Sequence, residues 1–276
     1  MNEPTAQYST AALELTPWDV AMAGLLVAVA GIVSFGLRLG MERQLAIASL
    51  RTVVQLLLIG YVLRYIFALE TFWAVGAMAL VMVGAASVTA VRRSSRVYTG
   101  AHLYSFGVLV GCSLITTFLV TRVVVGVEPW YRPQYLIPLL GMILGNGLTG
   151  ISLCLDILLE RLSERRREVE MELAHGASRW EAAGPQLREA VRRGMIPIIN
   201  AMMVVGIVSL PGMMTGQILA GADPLQAVKY QMVVMFMIAA ATSLGCMLIA
   251  LATCQRLFNH QHQLRVEAIQ PRTKRS

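Results

Sequence analysis

Between Met195 and Gly221 the chain reads MIPIINAMMVVGIVSLPGMMTGQILAG, an apolar run that holds Asn200, Pro211-Gly212, Thr215 and Gln217. Amides and hydroxyls are uncharged hydrogen-bonding groups, suited to holding a solute rather than to breaking a bond. Pro211 has no N–H, so the carbonyl of Ile207 loses its helical partner, and Gly212 makes a bend easy at that point. An unsatisfied backbone group in hydrocarbon costs on the order of several kcal/mol, so the break is expected to face protein or a water-filled path. Interrupted helices with polar groups near mid-membrane are a common way to build a transporter's substrate site. Met202, Met203, Met213 and Met214 flank the same region. Thioether sulfur is a soft ligand suited to Cu(I). Methionine also fills gaps in irregular cores, and adjacent Met-Met pairs point to different sides of a helix, which favours packing.

A second polar stripe runs through Ala48, Arg51, Thr52 and Gln55, spaced i, i+3, i+4, i+7 along one helical face. Arg51 either snorkels to the nearby interface or turns inward, and Gln55, deeper on the same face, favours the inward role. A third lies in GMILGNGLTG, where Gly141 and Gly145 have small-xxx-small spacing and Asn146 and Thr149 are polar. The glycines predict close helix packing; Asn146 serves equally well as an interhelical hydrogen bond or as lining of a path.

Reaction chemistry is hard to find. A Walker A loop needs Gly-Lys-Ser/Thr, and the only lysines are Lys229 and Lys274, so ATP hydrolysis is not expected in this chain. No HExxH pattern occurs, His260-x-His262 falls in a polar tail, and no span holds a pair of acids, so no catalytic residues and no cofactor of its own are assigned. Cys112, Cys154, Cys246 and Cys254 all sit in apolar segments without CxxC spacing and are expected to be free thiols in the core.

The elements that must position these residues follow from composition. The chain has 276 residues, 56% hydrophobic and 14% charged, with mean hydropathy +0.62, which excludes an ordinary soluble domain. An all-α polytopic membrane protein is expected, with seven spans near Val20–Leu39, Leu45–Phe67, Thr71–Val91, Leu103–Thr121, Leu136–Leu159, Ile196–Ala220 and Gln231–Cys254. Of the 23 Lys and Arg residues, 18 fall in alternate connections, which places the N-terminus outside and the C-terminus inside. The net charge of +7 is explained by this asymmetry and needs no nucleic acid. Residues 1–17 are read as an extracytoplasmic leader, 18–258 as the membrane domain and 259–276 as a cytoplasmic tail.

The connection 160–195 is the one sizeable polar element. Glu and Arg at helical spacing predict that the fifth span continues as a solvated helix until Gly176 ends it. Ser178 with Glu181 then forms a capping box for a second helix of about two turns, in which Pro185 would lie uncomfortably deep.

SLPGMMTGQILAG, with LRTVVQLLLIGYVL in the second span, resembles the iron-export ABC permease family of the FetB type, which is similar in turn to plant membrane subunits associated with aluminium tolerance. The resemblance covers nearly the whole membrane domain. It implies a permease of the plasma (bacterial inner) membrane that exports iron or another metal, driven by a separate P-loop ATPase that binds ATP-Mg. In ABC importers a Glu-Ala-Ala…Gly motif sets a coupling helix in the ATPase, and ELAHGASRWEAA is loosely similar, with Leu173 in place of the first Ala and a shorter spacing to Gly176. The implied coupling residues are Glu172, Gly176, Ala177 and Trp180. A homodimer is expected, its path lined by Arg51, Gln55, Asn146, Asn200, Met213, Thr215 and Gln217 around the Pro211-Gly212 break. The rivals are a secondary carrier or channel, which would work after ATP depletion, and an intramembrane lipid enzyme, which would need a metal cluster, an acid pair or an activated nucleophile.

Overall fold

The computed structural model describes residues 16–259, 261 and 263–271. The helices are α1 (Pro17–Gly36), α2 (Glu42–Leu69), α3 (Phe72–Arg93), α4 (Ala101–Leu119), α5 (Pro133–Glu164), α6 (Arg166–Ala174), α7 (Arg179–Ala182), α8 (Gly184–Val204), α9 (Gly212–Leu219) and α10 (Pro224–Leu257). A π turn, Val120–Val124, extends α4. Six helices, α1 to α5 and α10, are long and apolar enough to cross a bilayer. The fold is all-α and membrane-embedded, as expected, but the Ile196–Ala220 window is not a seventh continuous helix. It is divided between the second half of α8, an irregular stretch at 205–211, and α9.

Local chemistry sets several of these boundaries. Thr16 caps α1 in a capping box with Asp19, and Pro17 occupies the first turn, where its missing N–H costs nothing. Asp223 caps α10 by accepting the Gln226 amide at 3.0 Å, so that helix begins seven residues before the expected Gln231. Pro185 is not deep inside a helix; α7 is a single turn, and Pro185 opens α8 instead.

α5 is the central element and packs against α3, α4, α8 and α10. Its Leu140, Ile151, Leu155, Leu158, Leu159 and Leu162 are almost wholly enclosed. Lipid tails are as apolar as leucine, so this burial stabilises through dispersion and close fit rather than escape from water. The closest fit is not at Gly141 and Gly145. A Cβ on Gly145 would meet nothing within 4 Å, whereas one on Gly194 of α8 would stand 2.8 Å from Cys154 Cβ and 2.9 Å from both Cys246 Sγ and the Gly150 carbonyl. Gly150 and Gly194 therefore let α5, α8 and α10 cross at near backbone contact. All four cysteines are buried and unbridged, as expected, and two of them fill this crossing.

At the end of the bundle rich in arginine, Asp156 of α5 accepts hydrogen bonds from the Ser95 amide at 2.7 Å and hydroxyl at 2.6 Å and fixes the turn after α3. That turn leads into β1 (Arg96–Tyr98), which pairs antiparallel with β2 (Ile269–Pro271). The described part of the C-terminal segment is thus folded onto the bundle and is not a free tail; Leu264 is buried, and Glu267 lies 3.9 Å from Arg166 of α6. His260, His262 and residues 1–15 of the expected leader lie outside the described residues. At the opposite end Phe72, Phe118, Trp130 and Tyr131 meet edge to face, with Trp130 centred 5.2 Å from Phe118 and 5.9 Å from Phe72. Such an aromatic group suits a membrane interface.

Candidate functional site

The break starts where α8 stops. Val205 is extended and Gly206 has φ +83°, a conformation that glycine adopts without Cβ strain. The Val204 carbonyl then accepts the amide of Val208 at 2.9 Å and those of Ile207 and Ser209 at 3.3 Å, while the Gly206 amide turns to Ser209 O at 2.9 Å. Amides that a continuing helix would have given to the carbonyls of Met202 and Met203 are spent elsewhere. The expectation of a helix kinked at Pro211-Gly212 is corrected accordingly. Pro211 is the N-cap of α9 and Gly212 its first residue, so the proline starts a helix rather than bending one, and Gly206 is the residue that ends the preceding helix.

Beneath the break is a cavity of about 480 Å³. Its wall includes Met202, Gly206, Pro211 and Met214 from the broken segment and Gln231, Met232 and Met235 from α10. No charged side chain lines it. Gln231 is only 6% exposed, and its Oε1 is buried without a hydrogen-bond partner among the described residues. Gln217 Oε1 and Tyr230 OH are in the same condition. A buried unpaired polar atom costs roughly 1–3 kcal/mol, so the Gln231 amide at the cavity wall is the polar group there with a hydrogen bond still to make.

The expected lining residues divide. Pro211 lies at the cavity wall, and half-buried Gln217 and Thr215 follow it on α9, the Thr215 hydroxyl donating to Pro211 O at 3.1 Å. Met213 packs instead into an apolar cluster with Val120, Ile143 and Val234, and its neighbour Met214 is the one at the cavity. Asn200 is exposed on α8. Asn146 is exposed as well, its Nδ2 donating to Met142 O within its own helix at 2.9 Å rather than to a neighbour. Arg51 and Gln55 lie exposed on α2, which packs on α1 and only lightly on α3 and α5. A single copy therefore does not bring Arg51, Gln55, Asn146 and Asn200 to the break. Gln231, Met232 and Met235 were not anticipated; their signal is an amide and two thioethers at i, i+1 and i+4 early in the last apolar run.

The second feature is the elbow between α5 and α8. Gly176, at φ +92°, ends α6 in a Schellman arrangement, with the Ala177 amide on Glu172 O at 3.1 Å and the Gly176 amide on Leu173 O at 3.0 Å. The capping box read at Ser178 and Glu181 is present in full. The Ser178 hydroxyl, and after it the Ser178 amide, hold the Glu181 carboxyl below its ordinary value of 4.5. Glu172 and Gly176 are exposed, Ala177 is half-buried, and Trp180 is half-buried against the core with the Arg179 guanidinium 5.2 Å from its ring centre. Ion pairs Arg165–Glu168 and Arg166–Glu170, at 3.3 and 2.6 Å, run along the solvated face of α6. Among the described residues no three His, Cys, Asp or Glu side chains gather as a metal site.

Comparison with known proteins fits this architecture. Residues 17–258 match the family described as "Uncharacterised protein family (UPF0014)". A UPF0014 membrane protein of Synechocystis is 38% identical over 93% of this chain and 99% of its own. The Escherichia coli K12 protein described as "Probable iron export permease protein FetB" is 33% identical over 91% of this chain and 95% of its own. Protein ALUMINUM SENSITIVE 3 of Arabidopsis thaliana is 33% identical, with 88% of each chain covered. No solved structure matches. Both the span of the match and the identities place the broken helix and the elbow within shared sequence, and this integral membrane protein belongs to the UPF0014 family.

Proposed function

We propose that this chain is the membrane subunit of an ABC transporter that exports iron or another metal across the plasma (bacterial inner) membrane. Two copies assemble, and each docks a separate P-loop ATPase that binds ATP-Mg. The observation that carries this reading is the elbow, two short helices packed at the arginine-rich end and joined at both sides to bundle helices almost without slack. Arg165 is at once the C-cap of α5 and the N-cap of α6, and Ala183 stands in the same relation to α7 and α8. A push at Gly176 is therefore delivered to α8, a helix of 21 residues that extends ~31 Å and ends at the break. Positive loops stay in the cytoplasm, which puts the elbow on the side where ATP is and the N-terminus outside.

The relative described as an iron export permease supports the metal assignment. Asn146 and Asn200, amides exposed on apolar helices where lipid would leave them poorly solvated, support a second copy as the other half of the path. The test is copurification with a candidate P-loop ATPase of the ABC class expressed together with this chain. Glu172→Lys and Gly176→Leu are expected to weaken recovery of the ATPase while membrane yield is kept; full recovery with both variants would reduce the elbow to a solvated surface helix.

A further inference from the structure

We propose that the cavity under the broken helix is a binding site for a soft monovalent metal ion of the Cu(I) or Ag(I) class, held by methionine sulfurs. Each adjacent methionine pair contributes one member: Met202 and Met214 line the cavity, whereas Met203 is 71% exposed and Met213 packs into the core. Met235 of α10 also lines it, and Met232, 51% exposed, stands at its rim. The methionines leave about 480 Å³ open between α8, α9 and α10, room for a solute beside the sulfurs.

All electron-pair donors at this place are neutral. They are thioethers, the unpartnered Gln231 Oε1 and, at the end of α8, the carbonyl of Met202, which lacks its helical amide. Thioether sulfur binds soft Cu(I) and Ag(I) well and hard cations poorly, since those take carboxylates and water. With no carboxylate in the wall, a bare divalent or trivalent ion would enter without a counter-charge, and its desolvation cost rises with the square of its charge. A single charge is the one a neutral donor set can hold. The C-terminal end of α8 adds a partial negative charge beside it. Arg51, on α2, is no part of this wall.

The inference names a ligand for the region that the transporter reading puts on the path, but its test needs neither the ATPase nor transport. Ag(I) is titrated into the purified chain in detergent, in chloride-free buffer, using a background in which Cys112, Cys154, Cys246 and Cys254 are alanine. One ion per chain is expected, with affinity falling about tenfold or more when Met202, Met214, Met232 and Met235 are together replaced by leucine, which conserves volume but removes the sulfurs. Gln231→Leu is expected to weaken binding by a smaller factor. In the unaltered chain, Ag(I) should protect those four methionines from peroxide oxidation and leave exposed Met203 and Met171 unprotected, as read by mass spectrometry. Equal affinity in the four-leucine variant, no binding in the cysteine-free background, or equal oxidation of all six methionines with and without Ag(I) would each overturn the site. Fe(II) binding that is lost in the four-leucine variant would overturn its soft-ion assignment.

Discussion

Single residues act here mainly through what they leave open. Gly194 and Gly150 permit the crossing of α5, α8 and α10, and a Cβ on Gly194 has no free direction. Gly194→Ala is expected to lower the stability of the solubilised chain by about 1–3 kcal/mol through overpacking, while Gly145→Ala stays within about 0.5 kcal/mol; thermal unfolding monitored by fluorescence separates the two. The sequence spacing pointed to Gly141 and Gly145 because it records the period along one helix and not which face meets a neighbour. The partner of Gly150 lies on another helix, beyond the reach of any local pattern. Gln217 is a different case. Its buried, unpaired Oε1 makes Gln217→Leu close to neutral for folding or better, so a drop or a change of preference in metal transport per folded chain is expected. Unchanged transport would move the path away from α9.

At the scale of elements, the two ends of α8 were read with unequal success. The elbow's turn was legible at Gly176 and Ser178, because a positive-φ glycine and a capping box are local devices that a chain must spell out in order, whereas the interruption of the expected continuous helix at Arg165 and the shortness of α7 were not. Glu181 gives it a pH signature. Since its carboxyl is held below 4.5 in the folded chain, its contribution to α7 is complete above that value and is lost as pH falls through the lower folded value. Trp180 emission, in a chain whose other tryptophans are phenylalanine, should change below pH 4.5 in the parent, and the change should move toward higher pH in Ser178→Ala. The break was located less well. Proline marks places where a helix cannot continue, but it also opens helices, and only the choice of α8 to stop at Gly206 decides which role Pro211 plays. Pro211→Ala with Gly212→Ala should therefore leave α8 unchanged in length and preserve insertion, whereas Gly206→Val should disturb the break itself. Cysteine accessibility scanned from 203 to 212 reads the difference. Matching patterns in the two variants would contradict this division.

For the whole molecule, the membrane class and six of the seven expected spans were legible, since hydropathy is summed over many residues; the seventh window, Ile196–Ala220, is apolar enough to pass that sum but is broken within. What composition could not convey is assembly. The path residues read from the sequence are scattered in one copy, with α2 standing off the bundle and Asn146 and Asn200 facing outward, as half of a larger object would be. An orientation reporter active only outside the cytoplasm should work when fused after Pro129 or Ala222 and be silent after Ser94 or Gly176. The central claim, that a partner's ATP hydrolysis moves α8 through the elbow, is tested most directly in vesicles reconstituted with this chain and its ATPase and loaded to follow metal efflux. The account predicts transport that requires ATP-Mg and both subunits, and a Trp180→Ala variant that still inserts and dimerises but hydrolyses ATP without moving metal. Metal movement by the chain alone in the absence of ATP, or full coupling in Trp180→Ala, would contradict it.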